Sequence, residues 1–450
     1  MGTVHTTPKL VQFGAGNIGR SFIGQIFSRS GWEVVFVDVD RRLVSLLNER
    51  RGYTVVIKRE GKPGELRRVG PVRAVDDPAA AAAELADAGM AATSVGKNAL
   101  PKILPVIARG LAERRRLYGD RPLDIIIAEN DREAPGLFRS VLRNELGPEY
   151  PLDTLVGLVE TSIGKMVPIM KAEDTAADPL ILFAEEYETL ILDKQGFRGP
   201  LPSAGFRGAG SAGPGSPALS AGDLPLIPAI HPVDPIAAYV DRKLFVHNLG
   251  HAAAAYLGFR FQLDQGSRFQ RESGAAVQGT GGTIPEVLAL PGIEAAVRRA
   301  MNEAADALVL EYPGTRYPGS YSREDLAAHI EDLIFRFKNR VLGDTVYRVG
   351  RDLGRKLARE DRLTGAMLLC AKQGLPFGGI AEAYRAALSF AAPAEEGALF
   401  PADREFRRRY GLEETVSPEK ALRVLREASL LDDSRPADRT VMNTVLQGRF

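Results

Sequence analysis

One cysteine, Cys370, and one tryptophan, Trp32, stand among 450 residues. A single thiol rules out an intrachain disulfide and a cysteine-rich zinc site, so the chemistry does not run through thiols. No apolar run approaches the ~20 residues that a membrane span requires, and the residues before Leu10 lack the apolar core of a signal peptide. The expectation is a cytoplasmic chain with no membrane partner. Charge of one sign is missing too: 58 basic side chains face 57 acidic ones, for a formal net charge of +1. That balance, with no long run of either sign, speaks against a nucleic-acid partner. What remains is an ordinary globular composition, 45% apolar and 26% charged, long enough for two or three domains.

Short apolar runs at 10–13, 34–37, 91–95, 123–127 and 155–159 are strand-sized, and helix-like segments lie between several of them. Alternation of this kind predicts a doubly wound parallel sheet covered by helices on both faces. The alanine-rich stretch 78–88 reads as a surface helix. Between 196 and 233 the composition turns to Gly, Pro, Ala and Ser, which predicts a linker. From 234 onward apolar residues recur at three and four spacing over 236–257, 293–312, 323–342, 361–372 and 418–429. The reading is an α/β nucleotide domain over 1–195 and a mainly α-helical domain over 234–450 that supplies the chemistry.

The first apolar run leads into Phe13-Gly14-Ala15-Gly16-Asn17-Ile18-Gly19, a G-x-G-x-x-G turn opening a helix. Such glycines permit a tight turn, close approach of backbone to a pyrophosphate, and packing of helix on sheet. Asp38 ends the second run, about 20 residues beyond the turn, where a carboxylate accepts both ribose hydroxyls and repels a 2′-phosphate. NAD is favoured over NADP; flavin proteins share the fingerprint. Val95 and Gly96, at the end of a later strand, fall where the sugar and nicotinamide of such a cofactor would lie.

Lys243, Asn248 and His251 open the helical domain. On an ideal α-helix, at ~100° per residue, they project at about 0°, 140° and 80°, so one amine, one amide and one imidazole share a side. Oxidising an alcohol without a metal needs a base for the hydroxyl proton and donors for the developing alkoxide. A lysine desolvated so that its pKa falls can be that base, which a guanidinium cannot. The competing reading is a solvated lysine, a polar helix position and a core histidine. His247 and His251 are spaced i, i+4 as in a metal pair, but no H-E-x-x-H glutamate accompanies them, and no metal is expected.

Lys-x4-Asn-x2-His together with the Gly14–Gly19 turn resembles the polyol-specific long-chain dehydrogenases, the mannitol dehydrogenase family, and within it the branch acting on mannitol 1-phosphate. Gly250-His251-Ala252, Ala255-Tyr256-Leu257-Gly258, Val349-Gly350-Arg351 and Arg355-Lys356-Leu357 are similar to the same branch. The matching segments run from about residue 10 to 365, and the tail after about Leu399 receives no chemistry. The resemblance implies metal-independent, NAD-linked interconversion of a polyol phosphate and a ketose phosphate, mannitol 1-phosphate and fructose 6-phosphate foremost, by a monomer or homodimer. It implies Lys243 as general acid/base, Asn248 polarising the reacting oxygen, His251 orienting it, and Asn130 as a second amide.

Gly164-Lys165 stands where the family carries an Asp-Arg pair, which keeps a free polyol or a sugar acid such as tagaturonate in play as substrate. A dinucleotide-binding sensor without catalysis is the non-enzymatic alternative. Arg348, Arg351, Arg355 and Arg359 recur at helical spacing beside Lys356. Spacing alone fits a solvated, carboxylate-paired face, whereas family position marks Arg351 and Lys356 as cations for a substrate phosphate.

Overall fold

The computed structural model describes residues 7–168, 170, 172–202, 226–273, 281–394 and 397–450. Two units emerge, Met1–Ile236 and Ala237–Phe450. The strands of the first are β1 (Lys9–Phe13), β2 (Glu33–Val37), β3 (Tyr53–Ile57), β4 (Glu65–Val69), β5 (Val72–Val75), β6 (Met90–Thr93), β7 (Leu123–Ile127), β8 (Val156–Ser162), β9 (Leu182–Ala184), β10 (Leu190–Asp193) and β11 (Ile230–Val233).

Eight of them form one sheet in the order β11-β10-β8-β7-β6-β1-β2-β5, parallel except where β10 meets β8. Side chains alternate across it. Leu10 packs into the core on one face with Phe22, Phe27 and Trp32, while Val11 and Phe13 pack into the other with Leu104, Ile107 and Phe138. Complete burial of each such side chain contributes ~1.5–3 kcal/mol, and the double-sided pattern is what a buried parallel sheet requires. The helix Pro78–Ala86 is not the purely superficial element expected, because Ala81, Leu85 and Ala86 are buried.

Register sets the functional edge. Phe13 lies opposite Val37 on β2 and Thr93 on β6, Thr93 opposite Ile127 on β7, and Ile127 opposite Glu160 on β8. Four parallel strands therefore end at one level, and the segments carrying Gly14, Asp38, Val95 and Asn130 leave from the same edge. That is the carboxyl edge at which open α/β sheets bind ligands.

Two features depart from the sequence reading. β3, β4 and β9 make a separate three-stranded sheet. The stretch 196–233 is also less of a linker than its composition suggests: Phe197, Leu201, Ile227 and Ile230 are buried in the core that holds Leu10, and β11 pairs with β10. Apolar side chains spaced among glycines and prolines anchor both ends of this stretch; its centre, 203–225, lies outside the described residues.

Among the described residues, every helix or strand element from Ala237 onward is a helix, with one isolated bridge between Thr283 and Thr345. The helix Leu249–Ser273 packs against Ile293–Glu311, Gly378–Leu388 and Val346–Gly350, with Ala252, Ala253, Ala254 and Ala255 buried along it. Immediately before it, Lys243–Asn248 forms a π-helical turn. A second π turn, Gly19–Gly24, follows the glycine-rich segment of the first unit. Such turns, with i→i+5 bonding, concentrate at functional sites. No helix of the described residues is long and apolar enough to cross a membrane.

Candidate active site

The three glycines of the turn after β1 have different reasons to be glycine. Gly14 has φ +93°, and a Cβ there would stand 2.6 Å from the Ser94 carbonyl oxygen; a Cβ on Gly19 would stand 2.1 Å from the Gly14 carbonyl oxygen. Both are demanded by the turn's own packing. A Cβ on Gly16 would meet nothing within 4 Å, so no protein atom explains it. Open space over an exposed backbone at the head of a helix fits the close approach of a pyrophosphate. Asp38 Oδ2 accepts from Ala15 N at 2.7 Å and Oδ1 from Asp40 N at 3.0 Å. The carboxylate is thereby fixed on the turn with lone pairs left for ribose hydroxyls. Asn17 is exposed and Ile18 half-buried on the same turn. These residues fit a bound dinucleotide.

Val95 and Gly96 follow β6, Gly96 at φ +82°. Their amides are not open donors. Glu129 Oε1 accepts from Val95 N at 2.9 Å and Oε2 from Gly96 N at 2.8 Å, tying the end of β6 to the end of β7. Sequence reasoning passed over Glu129, although it sits beside Asn130 in the same strand-end motif. Asn130 is exposed just beyond it.

In the second unit, Lys243 and Asn248 occupy the two ends of the π turn. A wider turn means fewer degrees per residue, so five steps overshoot a full turn by less than the ~140° of an ideal α-helix. Lys243 and Asn248 therefore lie nearer one face than the α-helical projection gives. Desolvation by burial, reinforced by the charges of Arg362 and Arg355 and partly offset by Asp361, pulls the Lys243 amine down to about 8. Three residues beyond Asn248, His251 lies flat on the Phe337 ring, with centroids 4.7 Å apart and 8° between planes. Its Nε2 is 3.3 Å from Asp344 Oδ2, with the N–H off the ideal hydrogen-bond line. Burial would raise the Asp344 carboxyl, but His251 and Arg348 hold it below the usual carboxylate range. His247 is buried, and desolvation with the nearby charge of Arg336 keeps its imidazole well below its ordinary pKa. No group of three metal-ligating side chains occurs among the described residues.

The four regularly spaced arginines do not share a helical face. The helix Val346–Gly350 stops, Asp352 takes a left-handed conformation at φ +74°, and a new turn, Leu353–Lys356, begins. Arg348 pairs with Asp344, Arg355 with Asp352 and Asp361, and Arg359 with Asp438. Arg351 is exposed, with its guanidinium carbon 5.8 Å from the Tyr347 ring centroid and 5.4 Å from that of Phe400. Lys356 is buried and donates to the carbonyls of Val349, at 2.7 Å, and Arg351. Burial and the charges of Arg362 and Arg355 pull its amine down to about 7. Its hydrogen bonds give it a place inside the turn, and Arg351 is the residue of the pair that faces outward.

Gly164-Lys165 acquires a structural account. Lys165 is buried, donates at 2.7 Å to the carbonyls of both Glu185 and Tyr187, and lies over Phe22. A Cβ on Gly164 would stand 3.1 Å from the Tyr187 hydroxyl.

The family model for the mannitol dehydrogenase Rossmann domain matches residues 8–204, and that for the mannitol dehydrogenase C-terminal domain matches 275–442. The chain is 32% identical over 386 residues to a mannitol-1-phosphate 5-dehydrogenase of Bacillus subtilis, covering 84% of this chain and 87% of the relative. The chain belongs to the mannitol dehydrogenase family. A Brevibacillus brevis relative of the same description is 30% identical over 402 residues, 88% of this chain and 90% of the relative. The fold matches Pseudomonas fluorescens mannitol 2-dehydrogenase in its ternary complex with NAD and D-mannitol (TM-score 0.63, 14% identity, 98% of this chain and 91% of that one). It also matches a substrate-free D-sorbitol dehydrogenase (TM-score 0.65, 16% identity, 98% and 92%). One expectation needs correcting: the family match does not fade near residue 365, since the C-terminal model runs to 442 and takes in the segment after Leu399.

Proposed function

We propose that this protein is an NAD-dependent, metal-independent dehydrogenase that interconverts a polyol phosphate and a ketose phosphate, mannitol 1-phosphate and fructose 6-phosphate in the first instance. The observation that carries the reading is the Lys243 amine, lowered to about 8 on the π turn that also presents Asn248, one helical turn before a carboxylate-paired His251. Similarity to two mannitol-1-phosphate 5-dehydrogenases supports the substrate.

The turn Gly14–Gly19 and Asp38 hold the dinucleotide, with Val95 and Gly96 beside it; bound NAD supplies the hydride acceptor. Lys243, unprotonated above its lowered pKa, takes the proton of the reacting hydroxyl at Nζ. Asn248 donates its side-chain N–H to the oxygen as negative charge develops there, and Asn130 is proposed as a second amide donor. His251, set by Asp344 and Phe337, orients that oxygen. In the ketose-to-polyol direction the Lys243 ammonium returns the proton. Arg351 meets the phosphate with its planar fork of N–H groups. Lys356 contributes by fixing the carbonyl of Arg351.

Steady-state NAD reduction in EDTA, over mannitol 1-phosphate, mannitol, arabinitol and hexonates, tests the reading. Preference for mannitol 1-phosphate with undiminished turnover in EDTA supports it. Preference for a free polyol or a sugar acid overturns the phosphate assignment, and loss of activity in EDTA overturns the metal-free mechanism.

A further inference from the structure

We infer that Phe400 and Asp403, in the C-terminal segment for which the sequence offers no chemistry, are positioning residues that set Arg351 as the reader of the substrate phosphate. This rests on the reading above that Arg351 meets that phosphate.

Arg351 sits at the corner between Val346–Gly350 and Leu353–Lys356, and the corner is over-determined. Asp352 holds φ +74°, a conformation that non-glycine residues adopt at a cost and keep where surroundings impose it. Asp403 imposes it from outside: its buried carboxylate accepts from Asp352 N at 2.9 Å and Leu353 N at 2.7 Å. Lys356 holds the inner side through the carbonyls of Val349 and Arg351. Tyr256 Oη donates to the Gly350 carbonyl at 2.8 Å, and Gly350 packs so tightly on Phe390 that a Cβ would stand 2.1 Å from the ring. Asp403, Tyr256 and Phe390 from distant parts of the second unit, with Lys356 of the turn itself, thus converge on a corner where Arg351 and Arg355 are exposed and Arg355 is paired with Asp352 and Asp361.

The side chain itself lies beside two aromatic rings. Tyr347 and Phe400 both lie within cation–π range of the guanidinium, and a ring contact, unlike a carboxylate, leaves its positive charge in place. The neighbouring arginines at 348, 355 and 359 are neutralised by carboxylates. Aromatic contacts fix Arg351 without neutralising it, which suits a group that must pair with an incoming dianion. Phe400 and Asp403 stand at the head of the helix Pro401–Tyr410, so one element supplies both the ring and the cap.

The test is the ratio of kcat/KM for mannitol 1-phosphate to that for mannitol, in the full chain with saturating NAD. Arg351→Ala is expected to lower the ratio about 30-fold or more, Phe400→Leu about 3- to 10-fold, and Phe400→Tyr is expected to restore it. The double variant Arg351→Ala/Phe400→Leu is expected to be no lower than Arg351→Ala, because Phe400 acts through Arg351. Asp403→Asn is expected to lower the ratio as well, but it removes a buried cap, so Phe400 carries the decision. If Arg351→Ala lowers the ratio while Phe400→Leu depresses both substrates equally, the positioning role is overturned and the phosphate assignment stands. If Arg351→Ala leaves the ratio unchanged, or mannitol 1-phosphate is not turned over at all, the assignment falls and takes this inference with it.

Discussion

Nε2 of His251 stands 3.3 Å from Oδ2 of Asp344, and the imidazole is stacked on Phe337. Arg348 engages the other carboxylate oxygen of Asp344, so the acid is fixed from both sides and ionised. A carboxylate beside one ring nitrogen favours the tautomer with a proton there and sets the ring's orientation. Asp344→Asn keeps the shape and removes the charge. It is expected to lower kcat/KM about 10- to 100-fold and to lower Tm by a few degrees, because the pairing with Arg348 is lost as well. Circular-dichroism melting beside steady-state kinetics checks this; an unchanged kcat/KM would show that His251 needs no anionic partner.

Lys243 connects catalysis to stability. Its folded-state pKa of about 8 lies below the ordinary 10.5, so between those values the unfolded chain holds the extra proton. Stability contributed by this group therefore rises with pH across that window, and below it the lysine is a cost. Lys243→Met is expected to abolish polyol oxidation and to raise Tm at neutral pH by a few degrees, ~2–4 °C. Thermal melts at pH 7 and pH 10 distinguish the cases: the gain should shrink at pH 10. A variant less stable than the parent at pH 7 would contradict the desolvated amine.

The three glycines of the nucleotide turn separate folding from binding. Gly19→Ala drives a methyl group to 2.1 Å from the Gly14 carbonyl and is expected to unfold or severely destabilise the first unit. Gly16→Ala meets nothing within 4 Å and is expected to melt as the parent does, yet to bind NADH about 10-fold or more weakly. Fluorescence titration with NADH alongside thermal melting reads both. Equal NADH affinity in Gly16→Ala would mean that the open face is not where the cofactor's backbone lies.

Asp38 holds Ala15 N and is the proposed acceptor for the ribose hydroxyls. Asp38→Ser retains an acceptor but removes the negative charge. NADH binding is expected to weaken and the preference over NADPH to fall by about 10-fold, because the repulsion of a 2′-phosphate is gone. Parallel titrations with the two reduced cofactors measure it, and an unaltered preference would assign discrimination elsewhere.

The central parallel strands were legible because each is a continuous apolar run buried on both faces, and the glycine turn because its residue types follow from backbone geometry. β4 was not: Glu65-Leu66-Arg67-Arg68-Val69 is mostly exposed and offers no apolar pattern. β9 is three residues long, and β11 carries Pro232 and follows a glycine-rich stretch, so local signals opposed both. Lys243, Asn248 and His251 stood out through spacing, but their α-helical projection assumed a uniform turn that the π segment replaces. Asp344, Glu129 and Asp403 were invisible for a different reason. Each acts on residues distant in sequence or through backbone amides, and neither relation leaves a periodicity. The regular spacing of Arg348, Arg351, Arg355 and Arg359 misled in the opposite sense, since a left-handed residue at Asp352 breaks the helix that the spacing suggested.

Lys243 is the proposed base of an NAD-linked oxidation, and the pH dependence of kcat/KM for mannitol 1-phosphate tests that role most directly. The parent protein is expected to gain activity with rising pH and level off above an apparent pKa of about 8, and Lys243→Ala to lose about 10²-fold or more together with that ionisation. A Lys243→Ala variant that keeps the parent's rate and the same pH profile would contradict it.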